Sequence, residues 1–80
     1  MTRHEMLNAF SQQHIPSSLF WLGPVQSAEE TTGLAWNGNK WIVYYREHGS
    51  MFDVMEFDAE EDANDELYRR VTEFNRMLYR

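Results

Sequence analysis

The stretch Trp41-Ile-Val-Tyr-Tyr-Arg-Glu-His-Gly-Ser-Met-Phe-Asp-Val-Met-Glu-Phe-Asp58 decides the fold. Its first run, Trp41 to Tyr45, is aromatic and β-branched, a composition that suits a pleated, half-buried surface. Glu47-His48-Gly49-Ser50 supplies turn chemistry, with Gly49 free to take positive φ. Met51 to Phe57 reads as the returning strand, and Asp58 stops the sheet and opens a helix. A four-residue loop pairs Tyr45 with Phe52 and Val43 with Val54.

Working outward, Thr31 to Trp36 reads as a further strand, and Asn37-Gly38-Asn39-Lys40 is a hairpin signal because Asn and Gly accept positive φ. Trp41 then faces either Trp36 or Leu34. Both registers put Leu34, Trp36, Trp41, Val43 and Tyr45 on one face, joined by Phe52 and Val54, since side chains alternate along a strand. The other face carries Ala35, Ile42, Tyr44, Asp53 and Met55. That face is too apolar for a solvated one and predicts a second cover, with the two helices the favoured candidates.

Further upstream, Leu19-Phe20-Trp21-Leu22 is a short strand ended by Gly23-Pro24, and residues 25–30 form a polar connection. Thr2-Arg3-His4-Glu5 has the form of a capping box, and Met6, Leu7, Phe10 and His14 follow at helical spacing. Pro16 disfavours helical dihedrals at Ile15, so the first helix runs from about Arg3 to about Gln13. Downstream, Asp58 is the expected N-cap with Glu61 at the third helical position. Ala63, Leu67, Val71, Phe74 and Leu78 form the sheet-facing stripe, while Tyr68, Met77 and Tyr79 lie off it. Asp65 with Arg69, and Glu66 with Arg70, are helical ion pairs with the acid first. The fold class is therefore α+β: a small antiparallel sheet of three or four strands, in meander order, flanked by an N-terminal and a C-terminal α-helix. It forms one domain over residues 1–80. The expected core is Trp36, Trp41, Val43, Phe52, Leu67, Val71 and Phe74. A buried Phe74 would make Phe74→Ala cost about 3–5 kcal/mol.

Composition narrows the classes of function. Eighty residues without cysteine allow no disulfide and no thiolate metal site. Burial on folding covers only about 60–65% of the unfolded surface at this length, so the twelve aromatic residues carry much of the core. No apolar run reaches membrane-spanning length, and the first residues lead into no apolar signal segment, so a cytoplasmic protein is expected. Net charge is −6. Asp53, Glu56, Asp58, Glu60, Glu61, Asp62, Asp65 and Glu66 follow one another with no base between, before Arg69, Arg70, Arg76 and Arg80. Such a field repels nucleic acid and steers a basic partner, although acids at a helix start also suit the macrodipole.

No catalytic constellation appears. His4, His14 and His48 are scattered and have no acid at a metal-motif spacing, no serine lies in a nucleophile elbow, and no glycine-rich phosphate loop is present. No enzyme activity, metal or other cofactor is expected.

Leu34-Ala-Trp36, Trp41-Ile-Val-Tyr-Tyr45-Arg-Glu47-x-Gly49 and Phe57-Asp58-x-Glu60-x-x-Ala63, with Ile15-Pro16-x-x-Leu19 before them, resemble small bacterial immunity proteins. These are encoded beside polymorphic and contact-dependent growth-inhibition toxins. The resemblance covers roughly Ile15 to Leu67. It implies a cytoplasmic, non-enzymatic protein that binds and blocks a cognate toxin domain, often a nuclease with a basic cleft. An acidic surface can occupy such a cleft, so Asp53, Glu56, Glu60, Asp62, Asp65 and Glu66 are the expected toxin-binding residues. Two other readings stay open. One is an acidic, nucleic-acid-mimicking inhibitor of another enzyme. The other is an oligomeric adaptor that uses the Ile42, Tyr44 and Met55 face.

Overall fold

The computed structural model describes residues 1–25 and 28–78. Tyr79, Arg80 and the middle of the 25–30 connection lie outside the described residues. Helix α1 spans Arg3–Gln12, a 3-10 turn spans Ser17–Leu19, and strands β1 to β4 span Phe20–Leu22, Thr31–Trp36, Trp41–Glu47 and Ser50–Phe57. Helix α2 spans Glu60–Leu78. The architecture is α+β, as expected, with both helices flanking a four-stranded sheet of order β1-β2-β3-β4. No helix among the described residues is long and apolar enough to cross a membrane.

Local chemistry sets the helix limits. The Thr2 hydroxyl accepts the Glu5 amide at 3.1 Å while the Glu5 carboxylate accepts the Thr2 amide at 2.7 Å, which completes the capping box. At the other end His14 takes φ 56°, and the Ile15 and His14 amides donate to Phe10 and Ser11 carbonyls at 2.9 and 3.1 Å. This is a Schellman motif with histidine where glycine is usual. Relief of the left-handed strain outweighs the added freedom of the unfolded chain, so His14→Gly is expected to stabilise the protein by about 0.5–1 kcal/mol. An unchanged or lower denaturation midpoint would contradict this.

Asp58 is not the cap of α2. It lies two residues before the first helical residue, and its carboxylate instead takes the Lys40 ammonium from the β2–β3 hairpin. Glu66 pairs with Arg70 as the spacing predicts, but Arg69 turns from Asp65 to Glu66 and Glu73. The Asp65 carboxylate meets the Met1 amino group at 2.6 Å.

The sheet is mixed rather than a pure antiparallel meander. Strand β1 runs parallel to β2, pairing Phe20 with Thr32 and Leu22 with Leu34. Parallel neighbours cannot be joined by a hairpin, so the chain must cross from the end of β1 back to the start of β2. Gly23 begins that reversal at φ 152°, and the Trp21 indole N–H donates to the Pro24 carbonyl at 2.9 Å. Trp36 pairs with Trp41, the first of the two expected registers. In the β3–β4 hairpin, His48 and Gly49 take φ of 51° and 78°, a tight two-residue turn that sets Tyr45 opposite Phe52 as expected. Val43, however, faces Met55 and not Val54, because a bulge at Asp53, φ 52°, places an extra residue opposite Tyr44.

Two apolar layers result. Met6, Phe10, Ile15, Leu34, Val43, Ala63, Leu67 and Val71 fill the space between the helices and one sheet face. On the other face Ala35, Ile42 and Tyr44 are covered by Ala28, with Trp21 and Val25 alongside. The second cover is thus the connection after β1 rather than a helix. Ile42 and Tyr44 are buried beneath it, and Met55 sits on the opposite face, so that trio cannot form an adaptor surface.

The expected core needs further correction. Trp36, Phe52 and Phe74 are 52%, 49% and 47% exposed. Trp36 tilts against Trp41 at the hairpin end, with ring centroids 5.3 Å apart. Phe52 lies on the sheet edge, and Phe74 lies on α2 beyond Val71, the last buried residue of its stripe.

Candidate docking groove

A nineteen-residue helix is about 28 Å long, and the buried stripe of α2 ends well before its last turns. Phe74 and Leu78 continue that stripe but remain exposed, as does Met77 beside it. On β4, Phe52, Val54 and Met55 are exposed as well. Between α2 and the sheet lies a groove of about 550 Å³, floored by Thr32, Tyr45, Val54 and Met55 and walled by Phe74 and Met77. Side chains that should meet across a closed interface here face an opening, which is unusual for an apolar patch with no partner.

The groove has two polar rims. On α2, Glu66 is held by both neighbouring arginines: Arg69 Nη2 and Arg70 Nε donate to Oε2 at 2.8 and 2.6 Å, and Arg69 Nε donates to Oε1 at 3.1 Å. Arg69 also reaches Glu73 at 3.1 Å. The other rim is acidic. Glu30 and Asp53 line it with no cationic partner among the described residues. Beside them Glu29, Glu30 and His48 bring ligand-type atoms within 4.8 Å of one another, and Glu47 lies 3.6 Å from His48. Residues that the sequence separates widely meet in that corner. All three of the first group are exposed, and among the described residues no buried group fixes them as metal ligands. The Tyr45 phenol senses the corner: burial first, then Glu47, Glu30 and Glu29, push its pKa upward.

Glu66 makes a testable electrostatic contribution. Its carboxyl is held below the usual range, chiefly by the Arg69 hydrogen bonds and next by Arg70, against the opposing effect of burial. A depressed folded pKa gives stability that is complete above the unfolded value of about 4.3 and is lost as pH falls through the folded value. Urea midpoints of the wild type and Glu66→Gln should therefore differ most near neutrality and converge below about pH 4. A constant gap across that range would show that the ion pairs are not its source.

The expected acidic surface is divided by the fold. Asp53 lies at the groove, whereas Glu56, opposite Ile42, is exposed on the far face of the sheet. Glu60 pairs with Arg3 at 2.8 Å, Asp65 with the Met1 amino group, and Glu66 with two arginines. Asp62 and its neighbour Glu61 are exposed at the start of α2. Half of the eight acids thus have an internal countercharge, and for Asp58, Glu60 and Asp65 it is one that sequence spacing does not reveal. Of the groove residues, Tyr45, Val54, Phe74 and Met77 were not expected as a site, and Met55 was expected on the other face with Ile42 and Tyr44. Their signal was an apolar stripe on α2 longer than the face it covers.

No family model, curated protein or solved structure matches the chain.

Proposed function

We propose that this protein is a non-enzymatic binding module, an immunity-type inhibitor that neutralises a cognate toxin domain in the cytoplasm. The observation that carries this reading is the open apolar groove between β4 and the C-terminal half of α2. Such a groove supplies the desolvated anchor positions on which binding energy concentrates. Asp53, Glu56, Glu61 and Asp62, which have no cationic partner among the described residues, add a field that speeds encounter with a basic nuclease. Glu60, Asp65 and Glu66 are already engaged within the fold and contribute less.

The test is whether the product of the adjacent gene is a toxin domain that this protein captures, together with protection of cells that express it. Phe74→Ala combined with Met77→Ala should weaken capture at least about 100-fold, since anchor truncations typically cost 2 kcal/mol or more each. The fold should survive, because both side chains are substantially exposed. Reversing Asp53, Glu61 and Asp62 to lysine should slow association at low salt and matter less at high salt, where screening acts within about 8–10 Å. Glu66 is excluded from that set, because a lysine there would gather three cations. Undiminished capture by the Phe74 and Met77 variant would remove the groove as the binding site.

A further inference from the structure

Strand β4 forms one edge of the sheet, and nothing among the described residues covers its outer side. It runs for eight residues, and all but the last are exposed. Such an edge presents a row of free amide and carbonyl groups, ready to pair with another strand. Met51, Phe52, Val54 and Met55 make it apolar enough for that pairing to exclude water.

Two features decide what can pair there. Asp53 and Glu56 are the only charged residues of β4, so pairing with a second copy would gather four carboxylates and no cation on one ribbon. Each chain also carries a net charge of −6. Devices that reject like-charged strands admit a strand of opposite charge, because specificity is a difference of affinities. Glu30 and Asp53 on the groove rim act in the same sense.

We propose that β4 receives an extended segment of the partner protein as a fifth strand, with apolar and basic side chains alternating along it. One set of side chains would enter the groove toward Phe74 and Met77, and backbone hydrogen bonds to β4 would set the register. This rests on the binding function proposed above and specifies its mode.

The test uses two eight-residue peptides, one alternating valine with lysine and one alternating valine with glutamate. A third peptide is the lysine form N-methylated on alternate amides along the edge that would pair. Hydrogen exchange of the β4 amides that do not bond to β3 is followed by NMR. The lysine peptide should slow that exchange and bind at least tenfold more tightly than the glutamate peptide. N-methylation should weaken it by tenfold or more, and Asp53→Lys with Glu56→Lys should invert the charge preference. Unaltered β4 exchange, or equal binding of the N-methylated peptide, would overturn strand addition. So would a concentration-dependent dimer of the chain protected along β4. Toxin captured with β4 still exchanging freely would overturn this mode and leave the groove function standing. Peptide docking as described without toxin capture would support the mode and sink the toxin function.

Discussion

Gly33→Ala will destabilise the protein by at least about 3 kcal/mol, at the upper end of what overpacking a core costs. Gly33 pairs with Tyr44 across β2 and β3, and the buried Tyr44 ring lies over it. A β-carbon built on Gly33 would sit 2.4 Å from both Cζ and the hydroxyl oxygen of Tyr44, and 2.9 Å from Cε2. The ring has no room to withdraw, because Ala28, Ala35 and Ile42 pack with it under Trp21 and Val25. Space, rather than backbone conformation, therefore requires glycine here. In a Tyr44→Val background the same substitution should cost less than about 1 kcal/mol, since contacting residues couple strongly. Equal costs in both backgrounds, measured by denaturant melts, would show that the ring is not the obstacle.

Phe10→Ala should cost about 3–5 kcal/mol, the usual range for a fully buried phenylalanine. Phe10 is buried, with the Phe20 ring centroid 4.7 Å away and the Tyr68 ring stacked at 5.6 Å. Those rings tie α1, β1 and α2 together, and the Gln13 side chain secures the Tyr68 hydroxyl from α1. Phe74→Ala, by contrast, should cost no more than about 1 kcal/mol, because about half of that side chain is already in water. The expectation of a large cost at Phe74 thus passes to Phe10. Similar losses at the two positions would mean that the outer turns of α2 close onto the sheet in solution. That outcome would also remove the groove.

The sequence was most legible where local chemistry acts alone. The capping box at Thr2 and Glu5, the turn at His48 and Gly49, and the stripe from Ala63 to Val71 follow from nearest neighbours and helical period. Legibility fails where a distant segment decides. Parallel pairing of β1 depends on the path of residues 23–30, which composition does not specify. Exposure of Phe74 depends on how far the sheet extends beneath α2, and hydrophobic period carries no such length. The acids looked uncompensated because Arg3 and Lys40 reach Glu60 and Asp58 only through the tertiary fold. The groove was hidden for the same reason: neither wall is unusual until the two are brought face to face.

The bulge at Asp53 changes which residues of β4 face inward. Before it, even-numbered residues of β4 face the helices, as Phe52 does opposite Tyr45; after it, odd-numbered ones do, as Met55 and Phe57 do opposite Val43 and Trp41. The strand changes parity partway along. A regular ladder through the same sequence would set Glu56 opposite Trp41, on the helix-facing side, and turn Met55 toward Ile42 on the other. One surplus residue therefore reconciles two apolar patterns that are out of phase. Any transplant of this hairpin into another scaffold must preserve that odd count, because a substitution can be repacked but a lost phase reverses the strand's inner and outer faces.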